Sequence, residues 1–242
     1  MKAKKIMICK IAGLGVDVPP VGDMPERCVP YLADVPVDIV IDPNTLKPDA
    51  IPHANAEDNY YLYSGYQFYV NLLDYDGLML HSSCVVVDGY AYLFSGPCGM
   101  GKSTHTAKYL KTFPNAVIIN DDKPALRRIE GKWYAFGTPW CGKDGINENS
   151  YAPIAGICFL HRGDTQINRL KPLEAVGYIL KQTNGRKTPE QARKLMRLIN
   201  MLVAEVPFFE FYNHADEGAE RITYAAMRNA MKQKEIENET ES

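Results

Sequence analysis

The 242-residue sequence predicts an α/β protein: a mixed sheet with flanking helices and a helical C-terminal third. Three observations carry that prediction. The stretch "AYLFSGPCGMGKSTHT" (Ala91–Thr106) passes from an apolar strand through a glycine-rich turn into a helix start. Just upstream, "GLMLHSSCVVVDGYAYLFSG" reads as two strands around Asp88-Gly89, a dipeptide suited to the tight turn of a hairpin. Beyond residue 170 the apolar residues recur at helical spacing over 172–182, 189–206 and 216–234.

Taken in order, residues 1–50 place short strand-like segments, "IMICKIAG" and "PVDIVID", among prolines, set to pair with the main sheet. The segment "EDNYYLYSGYQFYVNLL" (57–73) has helical spacing, and its tyrosines form one face of an amphipathic helix. After the helix that follows the glycine turn, 116–119 reads as a buried strand ending at Asn120-Asp121-Asp122. Residues 125–129 and 133–136 make a hairpin over Glu130-Gly131, and "IAGICFLHR" (154–162) is a core strand. "VPFFEFY" is a short strand between the last two helices, and 235–242 is a polar, frayed tail. The reading is a single domain over 1–242, with 1–75 as an N-terminal portion of mixed strand and loop character.

Composition narrows the function classes. A net charge of −2 offers no basis for binding nucleic acid or an anionic membrane. The longest apolar runs, such as 154–160, are too short to span a bilayer. The N-terminus carries no signal-peptide pattern, so the expected compartment is the cytoplasm. Six cysteines are scattered without a C-x-x-C pair, which argues against zinc and for reduced thiols.

The chemistry concentrates in three places. Gly96, Gly101, Lys102 and Ser103 match the G-x-x-x-x-G-K-[ST] pattern in the strand–loop–helix context it requires. Its glycines let successive N–H groups close on phosphate oxygens, and the helix start adds free donors. The loop residues Gly96, Pro97, Cys98, Gly99, Met100, Gly101, Lys102, Ser103 and Thr104 are therefore the expected cradle for ATP, with the Ser103 hydroxyl on Mg2+. Cys98 reads as a small residue that fits the loop. The second place is Asp121-Asp122, at the end of a strand where such folds complete the Mg2+ shell. One carboxylate, with Asp121 the metal candidate, holds the ion; the other takes a proton from the attacking hydroxyl, and the sequence does not divide these two roles further. The third is His81, on the hairpin arm beside the strand that feeds the loop, where it would orient a carboxylate or relay a proton.

Acceptor contacts are expected from "GTPWCGKDGINEN", with Lys143, Asn147 and Glu148, and from Arg162 at the end of its strand. Arg127 and Arg128 alternate across a strand, so at most one of them faces the site.

The spacing of His81, "GPCGMGKST" and Asp121-Asp122 resembles the catalytic domain of bacterial HPr kinase/phosphorylase, a fold related to the nucleotide domain of phosphoenolpyruvate carboxykinase. The resemblance spans about 78–162. It implies that His81, the loop and the aspartate pair form an active site, with an aspartate as base toward a serine hydroxyl, and it implies homo-oligomers. "GTPWCGK" and "NDDKPALR" are similar to a subgroup of HPr-kinase-like proteins. Three departures stand out. Cys98 replaces a usual serine, Thr104 replaces an acidic residue and is more carboxykinase-like, and the E-[IL]-R-G-x-G signature has no counterpart, with "GKDGINEN" in its place. The resemblance therefore implies the fold and phosphoryl chemistry rather than HPr as substrate.

The function expected is an ATP-dependent phosphotransferase acting, with Mg2+, on a serine-like hydroxyl of a protein or small molecule. A carboxykinase-like transfer to an enol oxygen would need a second metal and a larger domain. A nucleotide sensor without catalysis would have no need of a base, and the aspartate pair is complete.

Overall fold

The computed structural model describes residues 7–43, 56–142, 144–184, 188–214 and 216–241. Two sheets organise the chain. Strands β1 (Ile8–Ile11), β2 (Leu14–Asp17) and β3 (Ile39–Val40) form a small sheet of their own, with the short helix α1 (Met24–Arg27) between β2 and β3. The expected pairing of this region with the main sheet is thus replaced by packing. Cys9, Ile11, Val16 and Tyr31 share a buried core with Phe68, Tyr69 and Leu72 of helix α2 (Ala56–Leu72) and with Met79, Ala125, Phe136 and Trp140. The small sheet gains its stability by burying one face against that helix rather than by extending the large sheet.

The second sheet has nine strands. Its backbone order is β4 (Gly77–Met79), β8 (Ala125–Ile129), β9 (Lys132–Phe136), β10 (Tyr151–His161), β6 (Tyr90–Ser95), β5 (Ser82–Val87) and β7 (Val117–Asn120). Strand β12 (Phe208–Tyr212) runs parallel beside β10, and β11 (Gln166–Arg169) pairs with β12. Both expected hairpins form, and their turns at Asp88-Gly89 and Glu130-Gly131 have positive φ at both residues. The architecture is the mixed α/β type with a helical C-terminal region. Strand β11 escaped the sequence reading because "QINR" is largely exposed, so it lacks the apolar alternation that betrays a half-buried strand.

Strand β10 is the spine. Seven consecutive residues from Ile154 to Leu160 are buried, as a strand covered on both faces requires. Its first residues pair antiparallel with β9, and the rest run parallel to β6 and β12. Helices α4 (Pro172–Lys181) and α5 (Pro189–Glu205) contribute to one buried core, with Leu195, Leu198, Ile199 and Leu202 on a single face of α5. Helix α6 (Ala219–Glu241) and α3 (Lys102–Thr112) contribute to another. Helix α6 continues through the segment expected to fray: "KQKEIENETE" holds good helix formers and neither glycine nor proline. No helix among the described residues is long and apolar enough to cross a membrane.

His105 on α3 reports on this packing. Its ring lies 4.4 Å from that of Phe94, near Tyr109 and Phe211, and Nε2 is 3.0 Å from the Thr223 hydroxyl. Burial, aided by Lys108 and opposed by Glu220, lowers its pKa to about 4. Between 6.5 and 4 the unfolded chain binds a proton that the folded chain refuses, so stability falls as pH falls through that window. The loss contributed by this group approaches about 3 kcal/mol. Urea unfolding of the wild type and His105→Phe at pH 7 and 4.5 checks it. The variant should lose less stability over that interval, and equal losses would show that His105 is not the acid-sensitive group.

Candidate active site

Strand directions bring the chemistry to one edge of the sheet. Ser95, at the end of β6, lies opposite Ser82 at the start of β5, and Asn120, at the end of β7, lies opposite Cys84. The turns after β6 and β7 therefore emerge together, next to the residue that precedes β5, which is His81. The parallel strands β10 and β12 also end here, with Phe159 beside Ser95 and His161 beside Tyr212. Carboxyl ends of parallel strands are where open α/β sheets bind ligands.

The loop from Gly96 to Gly101 turns sharply into α3. Gly99 and Gly101 have φ of 78° and 94°, left-handed values that L side chains adopt only under strain. Lys102 opens the helix but is buried, and its ammonium turns back under the loop. Nζ contacts Gly96 O at 2.8 Å, Pro97 O at 3.2 Å and His81 Nε2 at 3.0 Å. Burial lowers its proton affinity, and the negative charge of Asp122 resists that shift.

His81 links this lysine to the acidic turn. Its Nδ1 is 2.8 Å from Asp122 Oδ1, while Lys123 Nζ contacts Asp122 Oδ2. An ammonium only donates, so Nε2 accepts from Lys102 and Nδ1–H donates to the carboxylate. One tautomer satisfies both contacts. The backbone on either side is pinned: His81 N–H donates to Gln182 O at 2.7 Å, and His81 O accepts from the Ser95 hydroxyl at 2.8 Å.

The two aspartates are driven in opposite directions. Burial raises the proton affinity of Asp122, but the hydrogen bond from His81 and the charge of Lys123 outweigh it and hold the carboxyl far below its usual range. Asp121 is 6% exposed, and burial raises its pKa, opposed by the Gly142 N–H and reinforced by the charge of Asp122. Its Oδ1 accepts from Gly142 N–H at 2.6 Å. A Cβ at Gly142 would stand 2.7 Å from Oδ2, so this carboxylate occupies the space of a side chain. Gly142→Ala should displace Asp121 with the melting temperature nearly unchanged and, if the chain has the phosphotransferase activity expected from its sequence, lower that activity about tenfold or more. Unaltered turnover in a folded variant would remove Asp121 from the machinery.

Asn120, absent from the sequence-derived set, shapes this turn. Its side-chain oxygen accepts the N–H groups of Asp122 at 2.9 Å and Lys123 at 2.6 Å. Its amide donates to Thr138 O and Oγ1, both at 3.1 Å. The signal was available, because Asn followed by two polar residues after a strand is an Asx-turn pattern.

The remaining expected residues separate. Ser103, Thr104 and Cys98 are exposed at the loop, whereas the other five cysteines are buried. Lys143 lies outside the described residues. Asn147 bridges to Asn120 and is engaged by Tyr31 OH at 2.9 Å, while its own amide meets Cys141 Sγ and Gly145 O. It is therefore a strut beside the acidic turn. The side chain of Glu148 is exposed, and its N–H bonds Ile119 O at 2.9 Å. Arg162 stands across the loop from His81, because β10 and β5 flank β6 on opposite sides. Its guanidinium is 3.4 Å from Gly99 O, and it lines a cavity of about 290 Å³ with Gly101, Thr104, Lys108, His161 and His214. The structure thus places Arg162 with the loop and does not bring it together with Asn147 and Glu148. Neither Arg127, bonded to Ala12 O and Tyr75 O, nor Arg128, paired with Glu205, reaches the site. Trp140 is fully buried and stacked on Phe68, 4.8 Å between ring centres.

Among the described residues no group of three or more His, Cys, Asp or Glu side chains is arranged to hold a metal. A Mg2+ ion keeps several waters and is completed by substrate phosphates, so one or two protein oxygens would serve it. Asp121 suits it because it is a buried carboxylate engaged by an N–H and by no cation in any described ion pair.

Strand, glycine loop and buried lysine together have the strand–loop–helix shape that the G-x-x-x-x-G-K-[ST] pattern requires. No family model matches the chain, and no curated protein matches it. Among solved structures it is similar to the HPr(Ser) kinase/phosphatase from Coxiella burnetii, at 12% identity and a TM-score of 0.41, covering 67% of this chain and 96% of that one.

Proposed function

We propose that the protein binds ATP with Mg2+ and transfers the γ-phosphoryl group to a hydroxyl acceptor. The observation that carries this reading is the hydrogen-bonded line from Lys102 through His81 to Asp122 at the mouth of the loop. A phosphate cradle alone needs the lysine; it does not need a histidine and an ionised carboxylate aligned behind it.

In the reaction the loop N–H groups and Lys102 hold the β- and γ-phosphates. Lys102 Nζ has three partners within the protein, so a phosphate oxygen would take the place of at least one of them. Ser103 and Asp121 would hold Mg2+, which supplies neutralisation of the phosphate charge. The acceptor oxygen bonds to the γ-phosphorus as the bond to the β,γ-bridging oxygen breaks and ADP leaves. The hydroxyl proton passes to Asp122, whose anion is kept in place by His81 and Lys123.

Incubation with Mg2+ and γ-labelled ATP, with small hydroxyl compounds and proteins as acceptors, tests the proposal beside Asp122→Asn. Label should move to an acceptor with the wild type and fail to do so with the variant. Tight ATP binding with no transfer to any acceptor would leave a nucleotide sensor instead.

A further inference from the structure

On the far side of Asp122 lies a pair of cations, Arg27 and Lys123, each in contact with one carboxylate, that of Asp23 and that of Asp122 respectively. Tyr61 of α2 is their common support. Its hydroxyl donates to Cys141 O at 2.5 Å, fixing the ring. The Arg27 guanidinium lies 4.7 Å from the ring centre and Lys123 Nζ lies 5.6 Å from it. Lys123 also touches Asp122, so the corner is continuous with the catalytic carboxylate.

Arg27 reaches this place from α1, in the N-terminal unit. Its Nε pairs with Asp23 at 2.5 Å, and one terminal nitrogen donates to Cys141 Sγ at 3.2 Å. A thiol is a weak acceptor, so that end of the fork is held without being well satisfied. Stacking on Tyr61 and the bond to Asp23 nonetheless keep the guanidinium plane oriented. The side chains of Arg27 and Lys123 are each 23% exposed, open enough to meet a ligand and too enclosed to be freely hydrated. A planar fork and an ammonium beside one aromatic ring are the donor types that carboxylates and phosphates take.

We propose that Arg27 and Lys123 bind an anionic group of the phosphoryl acceptor, so that the acceptor is a small hydroxy compound bearing a carboxylate or phosphate. The identity of the ligand as acceptor rests on the phosphoryl-transfer reading; the anion site does not. Lys123 touches Asp122 directly, so an anionic group held there sits close enough to the base to belong to the same small molecule as the hydroxyl. The N-terminal unit then supplies specificity to a reaction whose chemistry lies in the large sheet.

Calorimetric titration of the full chain tests this without turnover. The probes are D-glycerate against glycerol, 3-hydroxypropionate against 3-hydroxypropionamide, and inorganic phosphate. The charged member of each pair should bind about tenfold tighter than the neutral one, and Arg27→Gln should erase most of that preference. Lys123→Gln should weaken both charged probes, and Arg27→Lys should recover part of the loss. Lys102→Ala should keep the carboxylate preference while losing ATP binding, which separates this site from the loop. Phosphate should report two classes of site, one sensitive to Arg27 and one to Lys102. The proposal is overturned by wild-type protein that binds neither carboxylate more tightly than its neutral partner. It is equally overturned by folded Arg27→Gln and Lys123→Gln proteins that bind all probes as the wild type does. ATP binding indifferent to Lys102→Ala would overturn the nucleotide reading and leave the anion site standing.

Discussion

Asp122→Asn should retain ATP binding and transfer phosphoryl groups about 10³-fold more slowly, the loss expected when a positioned proton acceptor is removed. The amide cannot take the proton. It also cannot serve both of its neighbours, because His81 Nδ1–H and Lys123 Nζ each require an acceptor and an asparagine has one oxygen. One contact must therefore be lost, and the negative charge between His81 and Lys123 disappears. The pH profile is a second readout. The wild-type carboxyl stays ionised far below its usual range, so Asp122 contributes no acid limb to the rate between pH 5 and 8. Its depressed pKa also stabilises the fold above the ordinary carboxylate range, and that contribution is lost as pH falls through it. The variant should melt lower at pH 7, with the gap closing below about pH 4. Normal turnover by the variant would sink the assignment of Asp122 as base.

Lys102→Ala should weaken ATP binding at least tenfold and lower kcat/KM by about 10³-fold, because a charge-assisted contact to the phosphates is lost in ground and transition states. The fold should survive. Alanine frees three modest hydrogen bonds, but it also relieves the burial of a charge that the structure already disfavours. Isothermal titration with ATP and Mg2+, beside a melting curve, checks both statements. A folded variant that binds ATP as the wild type does would mean that the loop holds no phosphate.

How much of this was legible differs from one residue to the next. The turn from Gly96 to Ser103 into α3 was readable because local backbone shape is written in glycine spacing. His81 was readable only as a candidate, since a lone histidine in a strand carries no mark of its partners. Its role follows from the antiparallel register that sets Ser82 opposite Ser95 and so aims the preceding residue at Lys102. Asn120 left an Asx-turn signal that was passed over. Arg27 and Tyr61 left none, because their approach to Lys123 spans 96 and 62 positions of chain, respectively.

The sequence by itself determined most of the main-sheet strands, the two hairpin turns, the glycine loop and the long helices, whose signals arise from interactions within about a dozen residues. It also determined which residues carry charge near the ends of those strands. Only the tertiary structure decided how they are shared out. Sheet order placed Arg162 beside the loop, turned Asn147 into a strut and set the N-terminal sheet against α2. Burial then parted two adjacent aspartates that are chemically identical in sequence, holding Asp122 ionised between His81 and Lys123 while raising the proton affinity of Asp121. The physical reason is that desolvation and charge partners belong to the folded surroundings of a group, and no local pattern of residues records them.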